Sequence, residues 1–368
     1  MSSGGVAQLV AVGAQDIWLT GKPEVSFFQS AYKHHTNFSQ VTGRQILQGE
    51  PTSGGMTTVR FERQGDMLGF VYLAATGPDA ADVQRAYTTQ NWSNVIDHVE
   101  LYIGGQLIDR QDSTFTEFLA PELFACNVAK STLGSLHGGY GSQSYFYPLR
   151  FWFCENWQSA LPLVALQNHD VEVRIYWSSG LKTNEKSIGD TCAPGDIIKW
   201  DVYAQYIFLD ETERKWMSSG SHDLLIQQVQ YMTPSNNPSM PITFVHPVKY
   251  LCSTPGTSGS SVLTSNNVQL MLQINGVDIG EPKLACPNFT AVQSYYFAPF
   301  SYGNETSFFL YSFCLDVSKF QPTGTLNFSR LDSMRIVSLG GPITSTVYGV
   351  NYNILRIQNG MGGLMYSN

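Results

Sequence analysis

VIDHVELYIGGQLIDR, residues 95–110, reads as a strand, a tight turn and a second strand, and the chain repeats it as VQLMLQINGVDIGE at residues 268–281. Val99, Leu101, Ile103, Gly105 and Ile108 fall on Leu270, Leu272, Ile274, Gly276 and Ile279, at a constant offset of 171. In each copy the apolar residues alternate with Glu100 and Tyr102, or with Met271 and Gln273, so one side of the strand faces a core. Gly104-Gly105 and Asn275-Gly276 supply the positive φ angles that a two-residue hairpin turn needs. Solenoids and propellers repeat every 20–50 residues or so. An offset of 171 is the size of a domain, which predicts a duplicated all-β domain.

Length and composition agree. A chain of 368 residues exceeds what one core usually supports, so two domains are expected. Charged residues make up 14% of the chain, against a usual value of about 25%. Aromatics reach 13%, and low charge with many aromatics points to surface buried against partners. The net charge of −8 and the lack of a Lys/Arg run at either end argue against direct nucleic-acid contact. Cys126, Cys154, Cys192, Cys252, Cys286 and Cys314 show no C-x-x-C spacing, so neither a zinc ribbon nor a redox motif is expected. The start lacks the pattern of a signal peptide, and no apolar run reaches the ~18 residues of a membrane span. Cytosolic synthesis with reduced thiols is the expectation.

Outward from the two hairpins, short strands recur between Gly, Pro and Asn turns, with almost no helical periodicity. This is the pattern of sandwiches and jelly rolls, and two units of this size suit eight strands each. Residues 1–24 read as an extended arm, and Val25-Ser26-Phe27-Phe28 as the start of the first strand. Residues 25–210 are the first domain, 211–222 (charged, then Ser/Gly-rich) a linker, and 223–368 the second domain, ending in a Gly-rich tail at 358–368. Thr114-Phe115-Thr116-Glu117 has the form of a capping box, with Pro121 cutting the helix short. Residues 145–154 read as a buried aromatic strand. In residues 171–177, Val171, Val173, Ile175 and Trp177 share one face.

Chemistry-bearing patterns are few. No H-x-H, H-E-x-x-H or G-x-S-x-G spacing occurs. His169-Asp170 is the one pair that invites a general-base reading, but it precedes a strand, where a turn Asp commonly bonds backbone. Gly138-Gly139-Tyr140-Gly141 lacks the Lys-Ser/Thr of a phosphate loop. Scattered Asp and Glu leave a glycosidase pair open from sequence. The sequons at Asn37, Asn91, Asn288, Asn304 and Asn327 are what chance gives a Ser/Thr-rich chain. No catalytic, cofactor-binding or metal-binding residue is assigned, and no enzyme activity is expected.

Six blocks carry a family likeness: GAQDIWLTGKPEVSFF with the following YKHHTNF, NVIDHVELYIGGQLIDR, LPLVALQNHDVEVRI, FLDETERKWMSSGSHDLLIQQVQ, TGTLNFSRLDS, and YGVNYNILRIQNGMGGLMYSN. In order and from end to end, they resemble the major capsid proteins of nucleocytoplasmic large DNA viruses, of the algal-virus and iridovirus-like kind. The resemblance implies a double jelly roll, two eight-stranded antiparallel sandwiches in tandem with short helices in the loops. It implies a homotrimer whose six sandwiches give a nearly hexagonal outline that tiles an icosahedral shell. The implied partners are further copies, neighbouring capsomers, and minor capsid and penton proteins. The implied setting is the virion, assembled in the host cytoplasm, with an internal membrane nearby but not entered. Many family members are longer, the excess lying in outer loops that read as short here. The alternatives are a capsid-protein paralogue serving as a minor shell component, or a carbohydrate-binding jelly roll.

Overall fold

The computed structural model describes residues 3–76, 92–124, 146–181, 199–254, 261–298 and 308–367. Cys126, Cys192, His137, the Gly138–Gly141 loop, Asn91 and Asn304 lie outside them. Two units are separable: Met1–Asn37 and Phe38–Asn368.

Sixteen of the strands in the larger unit set the order of two sandwiches. The first comprises β1 (Phe38–Gln45), β2 (Met56–Phe61), β3 (Met67–Thr76), β4 (Ile96–Ile103), β5 (Gln106–Asp112), β6 (Phe146–Pro148), β7 (Val171–Trp177) and β8 (Lys199–Leu209). The second comprises β9 (His222–Met232), β10 (Ser239–Pro241), β11 (Pro247–Ser253), β12 (Gln269–Ile274), β13 (Val277–Asp278), β14 (Phe309–Ser312), β15 (Met334–Ser338) and β16 (Val347–Gln358). The first pairs as β1-β8-β3-β6 facing β2-β7-β4-β5, and the second as β9-β16-β11-β14 facing β10-β15-β12-β13. Adding eight to every label of the first turns it into the second. All pairings are antiparallel. This strand order, executed twice, is a double jelly roll.

Both hairpins form. Gly104 and Gly105 have φ of 57° and 81°, and Asn275 and Gly276 have 51° and 78°, so each turn carries two consecutive left-handed residues. Val99, Leu101 and Ile103 are buried in the first core, and Leu270 and Leu272 in the second. The copies then diverge. β5 runs seven residues with Ile108 buried, whereas β13 has two residues and Ile279 is exposed. The alternation predicted for residues 171–177 holds, with Val171, Val173, Ile175 and Trp177 buried.

Several local expectations are corrected. Residues 25–28 form no strand, and the first strand starts at Phe38. A strand needs a partner for its N–H and C=O groups, and apolar content alone does not supply one. The expected extended arm contains helices Ser3–Val10 and Ile17–Thr20. Thr114 makes no capping hydrogen bond; its backbone is already helical, and Glu117 instead accepts from the backbone N–H of Ser93. The segment runs as a wide turn, Phe115–Leu119, into Ala120–Leu123, with Pro121 in the first turn of the latter. Proline has no N–H to close an i→i−4 bond, which suits a widened turn just before it. The aromatic stretch at 145–154 is strand only over Phe146–Pro148, then helix over Trp152–Glu155. The charged half of the predicted linker is a helix, Glu211–Ser218, tied down by Arg214 to Asp66 at 2.6 Å. The C-terminal tail is a hairpin: Met361–Leu364 pairs with β16 across an Asn359-Gly360 turn.

Candidate functional site

The sequence's one catalytic-looking pair is structural. Asp170 pairs with Arg60, and its backbone carbonyl accepts from the N–H of Gly104. His169 lies against the C-terminal hairpin, with Nδ1 2.9 Å from the carbonyl oxygen of Gly362. It also packs so closely on the first hairpin turn that a Cβ at Gly104 would sit 2.1 Å from Nδ1. The glycine there answers to both the left-handed backbone and this ring. Among the described residues, no group of three His, Cys, Asp or Glu could hold a metal ion. Cys154, Cys252, Cys286 and Cys314 are free thiols.

What the fold does build is a joint between the two jelly rolls. β5 of the first roll lies beside β9 of the second. Asp109 Oδ1 accepts from the N–H of Val229 at 2.9 Å, and Gln228 Nε2 donates to the carbonyl of Ile108. At the far end of β5, Tyr348 Oη donates to Asp112 Oδ2 at 2.6 Å. The chain then turns and lays Phe115, Leu119, Ala120 and Leu123 over the outer face of the β9-β16-β11-β14 sheet. There they meet Val229, Tyr250, Cys252, Tyr348 and Val350, forming a third apolar core separate from the two roll interiors. Phe115 is fully buried, its ring centroid 5.6 Å from those of both Tyr348 and Phe124. Removing this much apolar surface from water favours holding the rolls at one relative orientation.

The joint carries buried ionisable groups. Burial pushes the Asp109 carboxyl up to about 7, opposed by donors from Val229, Gln111 and Arg110. Burial likewise pushes Glu117 up to about 7, opposed by hydrogen bonds from Ser93 and Trp92. Asp112 is also raised by burial. Lys249, buried in the second roll, donates from Nζ to the carbonyls of Val317 and Lys319 at 3.1 and 3.0 Å. Burial lowers its pKa to about 8. Of these residues the sequence marked only Glu117, and that as part of a capping box.

Three stretches present exposed apolar side chains. The outer face of the β1-β8-β3-β6 sheet presents Phe70, Tyr72 and Tyr203, the two tyrosines stacked at 5.2 Å and 17°. It borders a cleft of about 1030 Å³, walled across from it by Gln227, Val229, Lys319 and Phe320 of the second roll. At the other end of the chain, Val277, Ile279, Leu284, Val292, Tyr295 and Tyr296 are all exposed within twenty residues of the second hairpin. In the unit Met1–Asn37, every described large apolar side chain is exposed, Trp18, Phe27 and Phe28 by nine-tenths or more. Apolar surfaces of this kind can bind protein surface.

Residues 26–210 match the family described as the major capsid protein N-terminus, and residues 257–363 match that of the large eukaryotic DNA virus major capsid protein. The chain is 32% identical to the major capsid protein of Pyramimonas orientalis virus, over 99% of this chain and 100% of that one. It is 30% identical to that of Paramecium bursaria Chlorella virus 1, over the whole of both. Among solved structures, a subunit of the PBCV-1 virus capsid superposes with a TM-score of 0.74 at 24% identity, covering 93% of this chain and all of that one. The Faustovirus major capsid protein superposes with a TM-score of 0.60 at 11% identity, covering 94% of each chain, a likeness of fold.

Proposed function

This chain belongs to the major capsid protein family of large eukaryotic DNA viruses, and from that premise we propose that it is a shell subunit that acts by self-association and turns over no substrate. Three copies associate, so that six jelly rolls stand around one axis and the capsomer has a nearly hexagonal outline. Such units tile the flat facets of an icosahedral shell. The observation that carries this reading is the joint. Two rolls of identical strand order are locked by a third core and by the Asp109–Val229 and Tyr348–Asp112 hydrogen bonds, so one chain offers two like units at a fixed orientation. A three-fold axis can then imitate a six-fold one.

The division of labour that goes with this reading has residues 1–24 as an arm, 25–210 and 223–368 as the two roll-bearing domains, and 211–222 as the connection. The bare apolar residues of the N-terminal unit become buried at contacts between capsomers. Minor capsid and penton proteins are the expected further partners, and the host cytoplasm the expected place of assembly. The net charge of −8 supports a subunit that does not itself hold the genome. Native mass spectrometry of the purified chain tests the reading: a trimer is expected, and a chain that stays monomeric at every concentration overturns it.

A further inference from the structure

The cleft of about 1030 Å³ is lined by both rolls. A volume of that order suits a small-molecule ligand, and domain boundaries are where such sites form. Its aromatic lining comes from three places: Phe70 and Tyr72 on the first roll's outer sheet, Trp152 and Trp157 after β6, and Phe320 on the second roll. Neighbouring rings hold these in place. Tyr72 stacks on Tyr203 at 5.2 Å and meets Phe146 edge-on at 5.6 Å, and Trp152 meets Phe153 edge-on at 5.3 Å. Trp157 is 77% exposed and Trp152 only 3%, so the lining runs from solvent to the interior.

The polar side chains decide what kind of molecule fits. Among the described residues, the charged members of the lining are Arg150, Glu155, Asp316 and Lys319. They pair off: Arg150 Nη1 lies 3.0 Å from Glu155 Oε1, and Lys319 Nζ 3.4 Å from Asp316 Oδ2. An ionised ligand would give up its water without meeting an uncompensated charge, which favours an uncharged one. Two donors in the wall are unused. Arg150 Nε and Trp152 Nε1 are buried and have no hydrogen-bond partner among the described residues. An acceptor oxygen brought into the cleft, met by a turn of either side chain, would satisfy a donor that is otherwise left unpaired.

We propose that this cleft binds an uncharged aromatic small molecule carrying an acceptor oxygen, and that the bound molecule braces the joint. The rings of the lining take its flat faces, and its oxygen answers Arg150 or Trp152. The bracing follows from two shared residues. Gln111 and Val229 line the cleft and also hold Asp109 at the joint. Gln111 Nε2 donates to Asp109 Oδ2 at 2.8 Å and to the Arg150 carbonyl at 3.0 Å, and the Val229 N–H donates to Asp109 Oδ1 at 2.9 Å. A ligand that touches both rolls binds only while they keep this orientation, so it makes opening of the joint rarer. The site lies within one chain and does not depend on how copies associate.

Prodan, an uncharged naphthalene ketone whose emission shifts to the blue on leaving water, is the probe. With the full chain its shifted emission is expected to saturate at one molecule per chain. Phe70→Ala and Trp157→Ala, each melting within a few degrees of the parent, are expected to weaken binding roughly tenfold, and so is replacing the ketone of the probe by a methylene. Saturating prodan is expected to slow hydrogen–deuterium exchange of residues 226–232 by roughly threefold or more and to leave 171–177 unchanged. Should Phe70→Ala fail to fold, Trp157→Ala and the exchange map of the unaltered chain decide. Absence of saturable binding, binding that a folded variant leaves unchanged, equal affinity for the methylene probe, or protection confined to residues 1–37 overturns the proposal.

Discussion

Phe115→Ala should loosen the joint while leaving each roll folded. The ring is fully buried between Tyr348 and Phe124, in a core that belongs to neither roll interior. Truncating a buried Phe to Ala costs about 3–5 kcal/mol, from lost transfer energy and the cavity left behind. If the joint opens as its own unit, that whole cost falls on its opening equilibrium. At about 1.4 kcal/mol per factor of ten, opening becomes roughly two to three and a half orders of magnitude more frequent. The Val229 amide reports the event directly, because its N–H is donated across the joint to Asp109 Oδ1 rather than to a neighbouring strand. The assay is hydrogen–deuterium exchange read by mass spectrometry on peptides spanning residues 226–232 and, as an internal control, 171–177. The first should exchange faster in the variant by that factor, and the second, deep in the first roll, should hold its rate. Equal acceleration of both peptides, or less than a tenfold change in the first, refutes a separable joint built on Phe115.

Leu101→Asp and Leu272→Asp should each abolish soluble expression, since both side chains are buried and an unpaired carboxylate would enter the core; normal yield of either shows the core assignment to be wrong. Asp109 and Glu117 titrate near 7 in the fold against ordinary values of 3.8 and 4.5, so the folded chain binds more protons than the unfolded one between those limits. Their contribution to stability is therefore complete below pH 4 or so and is lost as pH rises through 7; urea midpoints should fall from pH 5 to pH 8, less steeply in Asp109→Asn, and a flat or rising parent profile contradicts this. Deleting residues 1–24 should leave the trimer intact by native mass spectrometry but raise the concentration needed for hexagonal arrays in micrographs; failure of the shortened chain to fold shows that the segment is no arm.

The hairpins were legible because their signal is local. Two residues that tolerate positive φ, flanked by period-two alternation, specify a turn and a register without reference to the rest of the chain. Repeating that signal at an offset of 171 was enough to imply the duplication. The same signal sits in Asn359-Gly360, yet the Gly-rich MGGL after it hid a strand whose support comes from pairing with β16 rather than from side chains. At the other end, Val25, Phe27 and Phe28 resemble a strand in composition but pair with no strand among the described residues, and propensity alone does not make one.

The joint was illegible for a different reason. Asp109 and Asp112 look like the polar positions of an exposed strand, and nothing nearby in sequence explains their burial. Their partners, Val229 and Tyr348, lie 120 and 236 residues away, on the other roll. Burial by a second domain can be read only once two like domains have been stacked. The low charge of 14% points to surface buried against partners and does not single out this joint.

Electron microscopy of the purified chain, at a concentration fixed by native mass spectrometry, bears most directly on the shell-subunit reading. Particles of three 40.8 kDa chains, with six density lobes in a nearly hexagonal outline, are the predicted result. A field of single two-lobed particles that form neither trimers nor hexagonal arrays as concentration rises would contradict it.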